Sequence, residues 1–217
     1  MYVASCVLVA LVFSCAPEAQ QAPAQHSTVS NASPRAGATP GSASIDPGSI
    51  TNGIYRNFTF GFSYKLPFGW VDRTHEMSAT ADDAAKAIVL LSSFERPPEA
   101  KGETVNSAVV FAAEAASRYP GLQNAEHYFG PLTELTKSKD FTVINPPYDF
   151  PVGTKLLVRG DFSKDLGKLT MRQSTLVMMD KGYVVSFTFI GGTEEEVDGL
   201  LETLSFPRKE APIPRRK

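Results

Sequence analysis

Residues 155–190 read KLLVRGDFSKDLGKLTMRQSTLVMMDKGYVVSFTFI, and they are the most informative part of the chain about its fold. They contain three segments rich in β-branched and aromatic residues, at 155–162, 168–179 and 183–190. The two connections, residues 163–167 and 180–182, are short and contain glycine, which is typical of β-hairpins. The sequence therefore predicts three consecutive antiparallel strands.

A helix is predicted directly after these strands. Thr193 and Glu196 have the spacing of a capping box. Glu194, Glu195 and Glu196 fall in the first turn, where carboxylates stabilise the helix dipole, so we interpret this acidic cluster as structural. The predicted buried stripe has helical spacing and consists of Val197, Leu200, Leu201 and Leu204.

Upstream of residue 155 the patterns alternate between strand and helix. Strands are predicted at residues 55–60, 62–66, 88–94 and 141–144, the last one before a loop at 145–147. Apolar residues at spacings of three and four predict a helix over residues 104–119, and a second helix over 125–137 that Gly130 and Pro131 could interrupt. This order predicts an α+β fold over residues 54–206, an antiparallel β-sheet with helices packed on it.

Composition excludes several classes of protein. The 217 residues include only 2 cysteines and 3 histidines, and both cysteines, Cys6 and Cys15, precede the predicted domain. This excludes a disulfide scaffold and a multi-cysteine metal site. Residues 54–206 contain 15 Lys and Arg against 20 Asp and Glu. A nucleic acid partner is not predicted, because phosphates need a clustered basic face.

The N-terminus has the pattern of an export signal. Residues 3–13 form an apolar run that is too short to cross a bilayer comfortably and is typical of a signal peptide. The run ends at Ser14 and Cys15 and resembles the lipobox of bacterial lipoproteins. The resemblance implies that residues 1–14 are removed, Cys6 with them, and that Cys15 is acylated. Ala16 then favours the outer membrane, facing the periplasm. A plain secretory signal and an uncleaved apolar stub are the alternatives.

Two further segments flank the predicted domain. Residues 16–53 are rich in Pro, Ala, Ser and Gln and contain no aromatic residue, which predicts a disordered linker about 34 Å in end-to-end distance. His26 is interpreted as a solvated residue of this linker. Residues 207–217 contain five basic residues and one acid. This tail either touches anionic lipid or cell-wall polymer, or simply improves solubility.

Several segments of the domain resemble a known family. Residues 55–57 (YRN), 61–64 (GFSY) and 66–70 (LPFGW), together with 182–189 (GYVVSFTF) and a helix followed by Leu204-Ser205-Phe206, are similar to the Mog1/PsbP-like fold. That fold is an α/β/α sandwich and includes many small bacterial envelope lipoproteins. The resemblance implies a non-catalytic binding or assembly partner, and it supplies no catalytic residue.

The search for chemistry yields only weak candidates. Hydrolase motifs and a glycine-rich phosphate loop are absent from the sequence, so no catalytic residue, cofactor site or metal site is predicted. His75 and Glu76 could gather a cation with Asp72, Asp82 and Asp83, but a solvated loop is the simpler interpretation. Glu126-His127 is interpreted as part of a helix surface. The alternating aromatic residues pack in the core or line a small-ligand groove: Phe58, Phe60, Phe62, Tyr64, Phe68 and Trp70.

Two hypotheses about function follow from these patterns. The first is a membrane-tethered envelope lipoprotein that acts as a non-enzymatic binding or assembly module for an envelope protein. The alternative is an envelope hydrolase whose catalytic residues are dispersed in the sequence. An exposed apolar patch would favour the first hypothesis. A pocket that places His75 or His127 next to a carboxylate would favour the second.

Overall fold

The computed structural model describes residues 45–80 and 87–206. The strands in this part of the chain are β1 (Ser49–Thr51), β2 (Ile54–Asn57), β3 (Phe62–Lys65), β4 (Val71–Asp72), β5 (Ile88–Phe94), β6 (Ala108–Ala115), β7 (Thr142–Val152), β8 (Lys155–Asp165), β9 (Thr170–Asp180), β10 (Tyr183–Gly191) and β11 (Leu204–Ser205). The helices are α1 (Thr74–Thr80), α2 (Ala125–Lys137) and α3 (Glu194–Leu201), with a 3₁₀ turn at Ala116–Arg118.

The described strands form two antiparallel sheets. The large sheet has the order β4-β5-β6-β10-β9-β8-β7, and the small sheet has the order β1-β2-β3-β11. The predicted meander is confirmed, because β8 pairs with β9 and β9 pairs with β10. Helices pack on these sheets, which confirms the predicted α+β class.

The main core lies between the large sheet and the layer formed by the small sheet and α3. Its centre is a group of rings in which Phe62 lies 4.9 Å from Phe187 and 5.9 Å from Phe111, both edge to face. Val197 and Leu201 of α3 contribute from the same side. Burial of these aromatic rings stabilises the domain through the hydrophobic effect and through edge-to-face ring contacts.

The other face of the large sheet is covered by α2 and α1. Tyr128, Phe129 and Leu132 of α2 pack on Val177 and Val184 of the sheet. Gly160 of β8 lies directly beneath Phe129, and a Cβ atom at this position would come within 2.6 Å of the Phe129 ring. The helix can approach the sheet this closely because residue 160 has no side chain.

The prediction of a helix over residues 104–119 is wrong. The chain forms β6 there, from Ala108 to Ala115, followed by the 3₁₀ turn. β6 is a central strand between β5 and β10 and is buried on both faces. Such strands read as continuous apolar runs without alternation, and pairing on both sides overrides the helix propensity of alanine.

Three boundaries also differ from the sequence-based expectations. β7 continues through residues 145–147, which were predicted to be a loop, because an edge strand tolerates Pro146 and Pro147. Helix α2 contains Pro131 without a break. β1 pairs with β2 from Ser49, so the folded part begins before residue 54. The rest of the predicted domain division stays a prediction, since residues 1–44 and 207–217 lie outside the described residues.

Within the described ranges, no helix is both long enough and apolar enough to cross a membrane.

Candidate functional site

The carboxylates near α1 form hydrogen bonds and ion pairs with neighbouring residues of the chain. Asp72 accepts hydrogen bonds from the backbone N–H and the hydroxyl group of Thr74, at 2.9 and 2.6 Å, and thereby fixes the start of the helix. Glu76 forms an ion pair with Arg73 at 3.2 Å. A backbone hydrogen bond, followed by the contact with Arg73, lowers the pKa of Glu76.

The two histidines of the described chain lie on different helices. His75 is on α1 and His127 is on α2, and both side chains are exposed. The backbone N–H of His127 donates to the Asn124 side chain at 3.0 Å. Asn124 is therefore the N-cap of α2, and His127 lies in the first turn of the helix. Asp82 and Asp83, the other predicted cation ligands, lie outside the described residues. No group of three potential metal ligands comes together within residues 45–80 and 87–206.

The acidic cluster at residues 194–196 is the first turn of α3, as predicted. Glu196 completes the N-terminal cap: its N–H donates to the Thr193 hydroxyl at 3.2 Å, and its carboxylate accepts from the N–H of Gly192 at 2.8 Å. The carboxylate of Glu196 also accepts a short hydrogen bond from Ser107. A backbone hydrogen bond and the Thr193 hydroxyl lower the pKa of Glu195. This cluster is structural.

The aromatic residues of the opening strands divide into two groups. Phe60, Phe62 and Tyr64 are buried in the main core, and Trp70 packs on its border. Phe58 and Phe68, in contrast, project into solvent, with 77% of the Phe58 side chain exposed and Phe68 fully exposed. Core packing therefore accounts for the first group but not for these two rings.

Residues 66–70, which we call the Phe68 turn, are apolar, and each is at least partly exposed. The Trp70 N–H donates to the Pro67 carbonyl at 3.4 Å, and Gly69 adopts a φ of +80°, which only glycine adopts readily. Leu66, Pro67 and Trp70 are each partly exposed on either side of Phe68. Trp70 packs on the core at one end of the turn, while Phe68 projects into solvent.

A buried charged cluster that the sequence did not predict joins three strands to α3. Arg159 donates from Nε to Asp161 and from Nη2 to Asp198, both at 2.8 Å. Ser174 accepts from Arg159 at 3.0 Å and donates a short hydrogen bond to Asp161. Asn145 adds a hydrogen bond of 3.0 Å to Asp161. Both charges of the central pair are thus satisfied within the fold.

The cluster forms the floor of a small cleft between β7 and α3. Ile144, Arg172 and Glu194 also line it, and its volume of about 20 Å³ admits about one water molecule. Arg159 also lies over the Phe150 ring at 5.1 Å. Burial would lower the pKa of Arg159, but its hydrogen bonds to Asp161 and Asp198 outweigh this effect and raise it. The chemistry of this cleft is therefore that of a structural ion-pair network.

A second buried carboxylate lies under α2. Glu114 of β6 accepts hydrogen bonds from the hydroxyl groups of Tyr119 at 2.5 Å and Tyr128 at 2.6 Å. The two rings meet edge to face at 5.2 Å. This cluster joins β6, the 3₁₀ turn and α2, and it escaped prediction because residues 104–119 were predicted to be a helix.

A usable signal for the Arg159 cluster was present in the sequence. Leu157, Arg159 and Asp161 alternate along one face of a predicted strand, and adjacent opposite charges on a core-facing row need partners. The identity of one partner could not be predicted, because Asp198 lies 39 residues away. The two-residue spacing of Arg159 and Asp161 nevertheless indicates that their side chains lie on the same face of the strand and can pair.

No protein-family model and no curated protein matches the chain. Its backbone is similar to that of several solved structures, of which three are described here. Cyanobacterial PsbP (CyanoP) from Synechocystis sp. PCC 6803 is 11% identical over 71% of this chain and 91% of its own, with a TM-score of 0.46. The Ran-binding protein Mog1p of Saccharomyces cerevisiae is 13% identical over 73% of this chain and 86% of its own, with a TM-score of 0.40.

The third structure is LpqN of Mycobacterium tuberculosis, a protein involved in cell envelope biogenesis. It is 13% identical over 76% of this chain and 88% of its own, with a TM-score of 0.36. PsbP and Mog1p give their names to the family that the sequence resembles. At these identities the likeness concerns the fold alone, and no function passes from these proteins to this chain.

Proposed function

We propose that this chain is an exported lipoprotein that acts as a non-enzymatic binding or assembly module for an envelope protein. In this proposal Cys15 is acylated, and the domain is tethered to the outer membrane and faces the periplasm. The N-terminal pattern of an apolar run, Ser14 and Cys15 supports the anchor. Two or more acyl chains would make such an anchor durable.

The single observation that favours a binding module is the full exposure of Phe68 in an apolar turn. Binding sites concentrate their energy in a few aromatic residues that enter a pocket of the partner. Burial of a phenylalanine side chain in a partner contributes about 1.5–3 kcal/mol. Leu66, Pro67 and Trp70 widen the same apolar surface. The Phe68 turn is therefore the proposed contact with the partner.

The hydrolase alternative requires a histidine and a carboxylate in one pocket. His75 and His127 are exposed on separate helices, and the described cleft is lined by neither of them. This geometry does not favour the alternative.

Site-specific crosslinking in membranes tests the proposal. A photo-crosslinking residue at position 68 is expected to capture one defined protein. The matched control is position 156, where Leu156 is also an exposed apolar residue, with 63% of its surface accessible. Equal capture at both positions, or no capture at position 68, would contradict the proposal.

A further inference from the structure

The end of the large sheet next to the Phe68 turn can be traced from strand to strand. One row of paired residues crosses this end from β4 to β8: Val71, Phe94, Ala108, Ile190, Gln173 and Phe162. The chain enters β4 at Val71 and continues into the sheet, so the Phe68 turn lies outside the row. The β8–β9 hairpin also continues beyond the row, as far as the pair Asp165 and Thr170. We call this side of the sheet the hairpin end.

A second exposed apolar side chain lies at the hairpin end. Leu166 is at the tip of the β8–β9 hairpin, and 43% of its surface is accessible. The Leu166 N–H donates to the Leu169 carbonyl at 2.8 Å and closes the tip, where Gly167 has a φ of +77°. Phe68 has the same local setting, because it directly precedes Gly69, with a φ of +80°. Two turns at this end thus present a large apolar side chain, although small and polar residues dominate turns.

The β8–β9 hairpin packs on the rest of the domain. Two of its side chains, Leu169 and Met171, contact a buried apolar cluster. The cluster consists of Phe94, Val105, Ala108 and Ile190. Since Phe94 lies on β5, which pairs with β4, the hairpin packs towards the strands that follow the Phe68 turn. Leu166 is therefore presented by a hairpin that is part of this end of the domain.

The Phe68 turn by itself is too small for a stable protein interface. Such an interface buries about 800 Å² on each partner and uses about 20–30 residues a side, whereas the turn consists of residues 66–70. A footprint of this area is roughly 30 Å across. β4 and β8 are five strand spacings apart, which is about 24 Å. One interface of ordinary size therefore covers both Phe68 and Leu166.

We propose that Leu166 is a second apolar anchor for the same envelope protein that contacts the Phe68 turn, and that this partner has two apolar pockets about 24 Å apart. The inference rests on the proposed function, because it extends the contact proposed for Phe68. The connection between β5 and β6 lies between the two anchors and exposes Lys101, Glu103 and Thr104. Polar side chains of this kind surround the apolar anchors in protein interfaces.

The opposite end of the domain provides matched controls. Leu156 lies on β8 beside the β7–β8 turn, about 30 Å along the strand from Leu166. Phe58 lies in the β2–β3 turn, at the end of β3 that is far from Phe68. Leu156 is 63% exposed and therefore more accessible than Leu166. If exposure alone decided the contact, Leu156 would bind the partner better, whereas the inference places the contact at Leu166.

Site-specific crosslinking of the full chain in membranes tests the inference. Photo-crosslinking residues at positions 68 and 166 are expected to capture the same protein. Mass spectrometry should then place the two crosslinks on different peptides of that protein, one for each pocket. Positions 156 and 58 are the controls, and they should not capture it.

Competition in detergent-solubilised membranes measures the contribution of Leu166. Full chain without a crosslinking residue is added to compete for capture at position 68. Leu166→Ala is expected to need a concentration about tenfold higher than the unsubstituted chain, because part of the leucine side chain can no longer be buried in the partner. Leu156→Ala should compete as well as the unsubstituted chain. Circular dichroism of both variants checks that they are folded.

The outcomes separate this inference from the proposed function. Capture at position 68 without capture of the same protein at position 166 would overturn the inference and leave the proposed function standing. Crosslinks from position 166 only to lipid or to a second copy of this chain would also overturn it, as would equal competition by Leu166→Ala and Leu156→Ala. Absence of capture at both positions would contradict the proposed function itself.

Discussion

Arg159 on β8 and Asp198 on α3 are joined by an ion pair with 2.8 Å between Nη2 and Oδ1. The same guanidinium group holds the buried carboxylate of Asp161, also at 2.8 Å. One side chain thus connects α3 to the large sheet and neutralises a charge in the interior. Loss of Arg159 would leave Asp161 buried without a counter-charge, which is the costliest way to break such a pair.

The first prediction concerns this residue. Arg159→Met is expected to lower the free energy of unfolding by about 3–5 kcal/mol, measured by urea denaturation. The double variant Arg159→Met with Asp161→Asn should be less destabilised, because no buried charge is left uncompensated and Asp198 is half exposed to water. Glu99→Ala removes an exposed ion pair with Arg73 and should cost no more than about 1 kcal/mol. Equal effects of Arg159→Met and Glu99→Ala would show that the buried cluster has no special role.

Alkaline pH provides the second prediction. Burial raises the pKa of Tyr55 and of Tyr64 to about 12 from the ordinary value of 10.0. The nearby Thr203 side chain lowers the pKa of Tyr64 and offsets part of the effect of burial. The Tyr64 hydroxyl nevertheless has no hydrogen-bond partner of ordinary geometry. Above pH 10 the unfolded chain loses these protons while the folded chain retains them. The neutral form therefore contributes stability that is fully present below pH 10 and is lost as the pH rises towards 12.

Absorbance of tyrosinate in native and in urea-unfolded protein checks this directly. Tyr55 and Tyr64 should titrate later in the native protein than in the unfolded chain. Tyr64→Phe should cost little stability at neutral pH, because its hydroxyl is buried without a hydrogen bond, whereas Tyr55→Phe should cost about 1 kcal/mol through loss of the bond to Pro47. Identical titration curves in both states would refute the prediction.

Limited proteolysis addresses the domain boundary. A broad-specificity protease is expected to leave a fragment that begins at or before Ile45, because Ile45 packs on the core and β1 is paired with β2. Tyr55→Phe should speed cleavage near Pro47, since it removes the hydroxyl that holds this segment. Rapid cutting within residues 49–53 of the native protein would contradict the boundary, and protection of residues 20–44 would contradict the predicted linker.

Mass spectrometry of the native protein tests the anchor. Cys15 is expected to be the first residue and to carry acyl chains, since the apolar run, Ser14 and the polar segment after Cys15 agree in pattern. Cys15→Ser should abolish cleavage of the signal peptide. If the variant is still cleaved, it should be released from the membrane fraction. A variant that is still processed and membrane-bound would rule out lipidation of this residue.

The antiparallel meander at residues 155–190 could be predicted because its hairpin connections are short and its strands are rich in β-branched residues. The strand at Ala108–Ala115 could not, since Ala-Val-Val-Phe-Ala-Ala fits a helix locally and becomes a strand only through pairing with β5 and β10. The exposure of Phe68 could not be predicted from the sequence either. It depends on where β3 ends relative to β4, and spacing alone does not distinguish Phe68 from the buried Phe62.

The most direct test of the central claim compares two variants by affinity capture from membranes after chemical crosslinking, which leaves position 68 free for substitution. Phe68→Ala is expected to lose the captured partner, while the double variant His75→Ala with His127→Ala should keep it, with circular dichroism showing both folds intact. An interface depends on its aromatic anchor, whereas a positioned acid–base group typically contributes about 10²–10⁴ in rate. Partner capture that survives Phe68→Ala, together with a turnover activity that disappears in the double histidine variant, would contradict the account and indicate an enzyme.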